Sequence, residues 1–221
     1  VSDEAPSEGL VPRFARPALR AGDVTGWFEP VYAAAGAQIG DVPWVDQAPN
    51  ALLVSWLARE RPAGDGIRAV VVGCGLGDDV EALREAGFDA TGFDVAPTAI
   101  AWAARRFPGS AQRLRVANLL ELPSELVGAF DLVFEAYTVQ ALPQSVREAA
   151  IGGVASLVAP GGRLLVVCSG RDPEDDPGRL PWPLTRDDLA RFAGRGLVER
   201  RFEDVRDGGS RQFRVLYERP G

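Results

Sequence analysis

A glycine-rich turn follows a short apolar segment in the first half of the chain. In residues 69–79, Ala-Val-Val-Val precedes Gly-x-Gly-x-Gly at positions 73–77, and two aspartates follow. Glycines let a backbone approach a ligand closely, and a helix N-terminus presents free N–H groups. Roughly twenty residues later, where dinucleotide folds carry an acid for the ribose hydroxyls, Asp94 ends the next apolar segment. The pattern predicts a strand, a turn and a helix that bind a nucleoside.

The glycine spacing separates two classes of nucleoside ligand. A nicotinamide fingerprint, Gly-x-Gly-x-x-Gly, needs a glycine where Asp78 stands. Asp78 and Asp79 at the helix start repel a pyrophosphate and suit an ammonium group. We therefore expect a nucleoside without phosphates that is joined to an amino-acid moiety. The alternatives are a glycine turn that holds no ligand and a nicotinamide-dependent oxidoreductase.

The composition excludes several catalytic mechanisms. All 24 basic residues are arginine, and the chain has no lysine, histidine or methionine. The absence of lysine excludes Schiff-base chemistry, and the absence of histidine excludes the usual general base and most catalytic zinc sites. What remains is chemistry that a bound cofactor performs while the protein positions it, with no metal predicted. A net charge of −7 disfavours nucleic acid as a partner.

Apolar segments and helical patterns alternate over most of the chain. Predicted strands lie at 67–73, 89–94, 113–117, 130–134 and 163–169, with helices at 78–86, 97–106 and 143–158 between them. This alternation predicts an α/β fold with a parallel sheet. The end differs, because residues 197–205 and 210–217 flank Asp-Gly-Gly, which predicts an antiparallel hairpin. No apolar run is long enough to span a membrane, and two cysteines without a disulfide framework predict reduced thiols in the cytoplasm. The bias toward Ala, Gly, Arg and Pro without lysine is typical of a high-GC bacterial genome.

On these motifs the sequence resembles the class I S-adenosylmethionine-dependent methyltransferases, across roughly residues 50–220. The resemblance covers the glycine turn, residues 92–97 (Gly-Phe-Asp-Val-Ala-Pro) and residues 159–165 (Ala-Pro-Gly-Gly-Arg-Leu-Leu). It implies a Rossmann-like doubly wound sheet of seven strands in the order 3-2-1-4-5-7-6, in a monomer or homodimer. It also implies that the glycines line the methionine part of S-adenosylmethionine, that Asp94 holds the ribose, and that Val95 and Asn118 contact the adenine. The full set of predicted cofactor residues is Gly73, Cys74, Gly75, Gly77, Asp79, Asp94, Val95, Asn118, Leu119, Glu135 and Trp44.

A narrower resemblance, to thiopurine and thiol methyltransferases, rests on residues 42–46, 73–79, 130–137 and 141–143. It implies a small-molecule acceptor and places Glu135 and Tyr137 at the methyl group as predicted catalytic residues. At pH 7, ionising a thiol costs about 2 kcal/mol and ionising a phenol about 4 kcal/mol. A chain without His or Lys suits the lower cost, so sulfur is the preferred acceptor atom. In the alternative reading Glu135 caps a turn and Tyr137 packs in the rim.

The segment 1–45 is predicted to be irregular and to form an active-site lid, ahead of a cofactor-binding domain at 46–221. Its aromatic residues Trp27, Phe28 and Tyr32, with Trp44, are predicted to cover the sulfonium; Trp27, Tyr32, Tyr137 and Arg171 form the predicted substrate set. In the alternative, the aromatic residues pack the segment onto the sheet, and Arg171 and Arg179 are solvated. Two other functions stay open: metal-free O- or N-methylation of a secondary metabolite, and cofactor binding without catalysis.

Overall fold

A computed structural model of the chain describes residues 9–36, 39–60 and 64–221. Its strands form one seven-stranded sheet in the order β3-β2-β1-β4-β5-β7-β6. The strands are β1 (Arg68–Val72), β2 (Asp89–Asp94), β3 (Leu114–Val116), β4 (Phe130–Ala136), β5 (Val158–Ser169), β6 (Val198–Asp207) and β7 (Ser210–Glu218). Five strands are parallel, and β7 pairs antiparallel with both β5 and β6. The predicted fold class and strand order are confirmed.

Helices cover both faces of this sheet. They are α1 (Leu10–Arg20), α2 (Phe28–Ala35), α3 (Ala51–Glu60), α4 (Asp78–Glu85), α5 (Pro97–Arg106), α6 (Gln144–Ser156) and α7 (Arg186–Ala190). Alternate residues of the central strands point to opposite faces, so one face packs against α3 and α4 and the other against α6 and α7. None of the described helices has the length and hydropathy that a bilayer crossing needs.

The parallel register brings the functional segments to one edge of the sheet. Val72, the last residue of β1, lies opposite Phe93 of β2 and Glu135 of β4. The glycine turn, Asp94 and the residues after β4 therefore meet at the carboxyl ends of three neighbouring strands. In open α/β sheets this edge is where ligands bind.

The predicted C-terminal hairpin is present. β6 and β7 are joined through Gly208 and Gly209, whose φ angles are +53° and +91°. A two-residue turn with both φ angles positive matches the right-handed twist of paired strands, and glycine adopts it without steric cost. The hairpin places β7 against β5 and completes the sheet.

The N-terminal segment differs from its prediction. It contains α1 and α2, although residues 1–45 were predicted to be irregular; residues 1–8 lie outside the described residues. Three prolines lie within these two helices, and Pro17 is in the interior of α1. Pro12 and Pro30 each occupy the third position of their helix, where the missing N–H has no helical partner to lose.

α2 is fastened to the N-terminus of α5. Glu29 accepts hydrogen bonds from the backbone N–H of Thr98 at 2.9 Å and from the Thr98 hydroxyl. α5 has no cap from its own side chains, so Glu29 satisfies a donor that would otherwise lack a partner and places a negative charge at the helix N-terminus. Tyr32 packs edge-on against Trp102 of α5, with ring centroids 5.9 Å apart.

Replacing Glu29 by alanine is expected to loosen this attachment. Loss of a capping interaction typically lowers the free energy of unfolding by about 1 kcal/mol. Because α2 also covers the glycine turn, binding of S-adenosylhomocysteine should weaken severalfold. Chemical denaturation and titration calorimetry measure the two effects. The matched control is Glu85→Ala, which removes an exposed acid of α4. If the two variants had the same free energy of unfolding and the same Kd, the Glu29 contact would contribute nothing to stability or binding.

Candidate active site

A cavity of about 710 Å³ opens at the carboxyl edge of the sheet. It joins the glycine turn to α1, α2, the segment 43–50 and the segment 179–182. The predicted residues that line it are Trp27, Tyr32, Trp44, Gly73, Cys74, Gly75, Asp79, Asp94, Val95, Asn118, Leu119 and Tyr137. Gly77, Glu135 and Arg171 are not among its lining residues. Most of the predicted set therefore lies around one space, whose volume is typical of a small-molecule site.

Asp94 is fixed by backbone donors at the end of β2. Its Oδ2 accepts a hydrogen bond from the N–H of Gly75 at 3.0 Å, and its Oδ1 accepts one from the N–H of Ala96 at 2.9 Å. Burial raises the pKa of the carboxyl group, while these donors act in the opposite direction. Each oxygen keeps a second acceptor position, so the carboxylate fits a ligand that offers two hydroxyl groups.

The two aspartates after the glycine turn occupy different environments. Asp78 forms a two-point ion pair with Arg106, at 2.6 and 2.7 Å. Asp79 accepts a hydrogen bond from the N–H of Asn50 at 2.6 Å, and burial raises the pKa of its carboxyl group to about 6. Asp78 is thus neutralised by a partner. Asp79 is the acid of this pair that suits a ligand ammonium group.

Asn118 follows β3 and begins a short 3-10 helix. Its Oδ1 accepts a hydrogen bond from the N–H of Leu120 at 3.0 Å, which makes it the cap of that helix. The side chain also lines the cavity, next to Leu119. One acceptor position of the amide oxygen remains for a ligand amine.

The glycines of the turn serve two purposes. A Cβ atom on Gly73 would overlap Thr138 Oγ1, so this glycine allows the loop after β4 to approach the turn. Gly77, with φ +85°, faces Ala103 and Phe107 instead of the cavity. The predicted contact of Gly77 with the cofactor does not agree with this position, because the residue permits close packing of α4 on α5.

Tyr32 lies over the glycine turn. Its hydroxyl accepts a hydrogen bond from Trp44 Nε1 at 2.8 Å and would sit 3.3 Å from a Cβ atom at Gly75. Burial and the nearby Asp94 raise the pKa of this phenol well above its usual range, so it stays protonated. The sequence placed Tyr32 with the substrate residues. Its position is at the cofactor end of the cavity.

Trp27, Phe28 and Trp44 form an aromatic wall. Trp27 and Phe28 are stacked with ring centroids 3.8 Å apart, and Trp44 meets both rings edge-on at 6.0 and 6.1 Å. All three line the cavity, while Trp27 also belongs to the apolar cluster between α1, α2 and α5. The packing role that the sequence left open is present, and the covering of a sulfonium by these rings stays a prediction.

The predicted catalytic role of Glu135 does not agree with its position. The side chain is fully buried on the α6 face of β4, away from the cavity. Its Oε1 accepts hydrogen bonds from the N–H groups of Thr138 and Val139, at 2.8 and 3.0 Å. Burial raises the pKa of the carboxyl group to about 7. Glu135 caps the turn after β4, which was the alternative reading of the sequence.

That turn projects Tyr137 into the cavity. Tyr137 has a φ of +62°, and its hydroxyl accepts a hydrogen bond from Gln212 Nε2 at 2.6 Å. Gln47, with φ +52°, also lines the cavity. These are the non-glycine residues with positive φ in the described part of the chain, and such strain tends to cluster at functional sites.

Arg171 organises a loop and does not reach the cavity. Its guanidinium donates hydrogen bonds to the backbone carbonyls of Pro183, Asp172 and Asp175, each at 3.1 Å. Its guanidinium N–H groups are therefore used within the loop, and the predicted substrate role does not agree with this position. Arg179, eight positions further along, does line the cavity.

Several lining residues were missed by sequence reasoning. They come from loops: Asp46 and Leu142 lie in segments that carry the narrower resemblance but had no role assigned, and Gln47, Thr138, Leu180 and Trp182 lie outside those segments. Asn50 lines the cavity too; its Oδ1 accepts a hydrogen bond from the N–H of Leu52 at the start of α3, the position that its sequence context indicates for a helix cap. Only the folded chain shows that these loops meet.

The sequence was compared with known protein families and with curated relatives. Residues 69–162, less than half of the chain, match the family model described as "Methyltransferase domain". This segment is therefore similar to a methyltransferase domain. Two relatives, each named ubiquinone biosynthesis O-methyltransferase, come from Bordetella avium and Pseudomonas aeruginosa. They are 30% identical over 129 and 127 residues, or 58% and 57% of this chain. The chain spans about half the length of these relatives, 53% in each case.

Solved methyltransferases share the fold of the whole chain. The Burkholderia thailandensis 1,6-didemethyltoxoflavin N1-methyltransferase, solved with S-adenosylhomocysteine, has a TM-score of 0.68 at 17% identity; the match covers 99% of this chain and 93% of that one. The Synechocystis magnesium protoporphyrin IX methyltransferase, also with S-adenosylhomocysteine, has a TM-score of 0.67 at 17% identity, over 87% and 98%. Likeness at this identity shows the fold alone.

The prediction of an S-adenosylmethionine-dependent methyltransferase domain is confirmed, whereas the narrower likeness to thiol methyltransferases is not. The residues present fit this cofactor. Asp94 offers free acceptor positions for a ribose diol, the glycine turn gives close access at its methionine part, and Asp79 suits its ammonium group. When bound, S-adenosylmethionine supplies a methyl group on a positively charged sulfur.

Proposed function

We propose that the protein transfers a methyl group from S-adenosylmethionine to a nucleophilic atom of a small, flat molecule, preferably a thiol sulfur. One observation supports this most directly. The predicted cofactor residues and the aromatic wall of Trp27, Phe28 and Trp44 line the same cavity of about 710 Å³. Cofactor and acceptor therefore have room side by side in one cavity.

The chain's own part in the reaction is positioning. Bound S-adenosylmethionine would supply a methyl group for in-line transfer, so the chain's residues would have to align the acceptor with it. Alignment of two reactants can supply about 7–11 kcal/mol of a barrier. Here the turn capped by Glu135 places Tyr137 at the side of the cavity, and the aromatic wall offers ring faces against which the acceptor would lie.

The preference for sulfur follows from the lack of a dedicated base. Glu135 faces the turn amides and not the cavity, so it does not take a proton from the acceptor. An acceptor that ionises at low cost does not need such a group. With a pKa of about 8.5 against about 10, a thiol ionises more readily than a phenol.

A hydroxyl oxygen is the second candidate acceptor. The relatives at 30% identity are O-methyltransferases by name.

The test is methyl transfer from labelled S-adenosylmethionine to acceptors of matched size: an aryl thiol, a thiopurine, a phenol and an arylamine. We expect the two sulfur compounds to be methylated at least tenfold faster, in kcat/KM, than the phenol. Turnover of the phenol alone would replace the first candidate by the second. A thermal shift with S-adenosylhomocysteine, without turnover of any acceptor, would favour a protein that binds the cofactor without catalysis.

A further inference from the structure

Charge is unevenly distributed in the cavity. Asp46 and Asp79 line the cavity together with Tyr137, and Asp94 holds the glycine turn. The basic residues of the cavity, Arg16 and Arg179, come from α1 and the segment 179–182. The acids therefore surround the place of the positively charged cofactor, and the arginines line the side formed by α1 and the later loop.

Arg179 sits where the later loop contacts the N-terminal helices. The next residue, Leu180, packs against the apolar cluster of α1 and α2. Beyond it, Trp182 donates its N–H to the carbonyl of Gln140 at 2.9 Å. These two contacts hold the backbone on the C-terminal side of Arg179 against the cavity.

The guanidinium of Arg179 makes no hydrogen bond or ion pair with residues 9–36, 39–60 or 64–221. Among the acids near it in sequence, Asp172 pairs with Arg211 at 2.8 Å, the carboxylates of Asp175 and Asp176 accept from the backbone N–H groups of Asp172 and Gly178, and Glu174 is exposed. The exposed Arg179 therefore lines the cavity without an ion-pair partner among the described residues, whereas the guanidinium of Arg171 donates to loop carbonyls.

The remaining surface of this side is aromatic and apolar. Trp27, Phe28 and Trp44 present their rings, and Leu19, Leu142 and Trp182 line the same cavity. Such a surface favours a planar ring system, which gains contact area at small entropic cost.

We propose, on the basis of the function above, that the acceptor is an aromatic carboxylate. Its ring lies against the aromatic wall of Trp27, Phe28 and Trp44, and its carboxylate pairs with the guanidinium of Arg179. An anionic acceptor is also attracted by the positive charge of the bound cofactor, which assists its approach. Arg179 is a specificity residue in this arrangement, since it contacts the substrate away from the reacting atoms.

The test measures binding of two flat probes to the protein saturated with S-adenosylhomocysteine. The probes are 3-hydroxy-2-naphthoate and 2-naphthol, which differ by the carboxylate. Titration calorimetry at low salt should show the carboxylate probe binding about fivefold more tightly, as expected for a partly solvated charge pair. In 0.5 M salt the difference should shrink.

Arg179→Gln should remove the preference for the carboxylate and leave binding of 2-naphthol unchanged. Arg105→Gln, which removes an exposed arginine of α5 outside the cavity, should keep the preference. Equal binding of both probes to the unaltered protein, binding of neither, or a preference that survives Arg179→Gln would overturn the proposal. If the preference depends on Arg179 but no acceptor is methylated, the proposed function fails and the anion site stands.

Discussion

Replacing Asp94 by alanine is expected to weaken binding of S-adenosylhomocysteine by about 10- to 100-fold, because a hydrogen bond to a charged group contributes about 1.5–3 kcal/mol. The carboxylate accepts from Gly75 and Ala96 and has acceptor positions left for a ribose diol. Its removal takes away the ribose contact and the bond that holds the glycine turn. Titration calorimetry gives the change in Kd directly.

The control for this experiment separates binding from folding. Asp131→Ala removes an acid at the opposite end of β4, where its carboxylate pairs with Arg68 on the surface. It should leave the Kd unchanged, and both variants should unfold cooperatively without ligand. An unchanged Kd in Asp94→Ala would remove Asp94 from the cofactor site.

The cofactor half of the site could be predicted from sequence because it is local. The glycine turn lies between one strand and one helix, and Asp94 ends the next strand, so their relation follows from a single β–α–β unit. The strand order rests on the same regularity, with the hairpin signal at Gly208 and Gly209 added. Both predictions depend on short-range sequence patterns in which glycine marks a turn.

The acceptor half depends on contacts between segments far apart in sequence. Arg171 and Arg179 lie in one loop and have the same charge, yet one binds loop carbonyls and the other lines the cavity. Nothing in their local sequence distinguishes them. Tyr32 similarly looks like an acceptor residue by type, and only the docking of α2 on α5 through Glu29 places it over the glycine turn.

Glu135 shows the limit of assigning a role from a residue's place at a strand end. Residues at the end of β4 alternate between the faces of the sheet, and Glu135 points to the α6 face. A single position decides whether a carboxylate faces a ligand or the protein core. In this chain the core side holds the acid, and the positive φ of Tyr137 returns the next polar side chain to the cavity.

Replacing Glu135 by glutamine is expected to change how stability depends on pH. The pKa of the carboxyl group is about 7 in the folded protein, against 4.5 for an unperturbed glutamate. Between these values the folded state binds more protons than the unfolded state, so the group's contribution to stability falls as the pH rises. Glutamine keeps an acceptor for the N–H groups of Thr138 and Val139 and does not titrate.

The free energy of unfolding of Glu135→Gln, relative to the unaltered protein, should therefore increase by roughly 2–4 kcal/mol between pH 5 and pH 8. Other titrating groups, such as Asp79, are common to both proteins and cancel in the difference. Denaturant titrations at the two pH values measure it. Glu203→Gln is the matched control, because Arg214 lowers the pKa of Glu203 to about 2, and its titration lies outside this pH range.

Turnover distinguishes a capping role of Glu135 from a catalytic one. A cap acts equally on every acceptor, because it fixes the turn that carries Tyr137 and takes no proton from the acceptor. Glu135→Gln should therefore change kcat by the same factor for a thiol that is already ionised and for a phenol that must lose a proton. Glu135→Ala leaves two buried N–H groups without an acceptor, at about 1–3 kcal/mol each, and should be far less stable at any pH. A selective loss of phenol turnover in Glu135→Gln, with a flat stability difference, would instead make Glu135 the base.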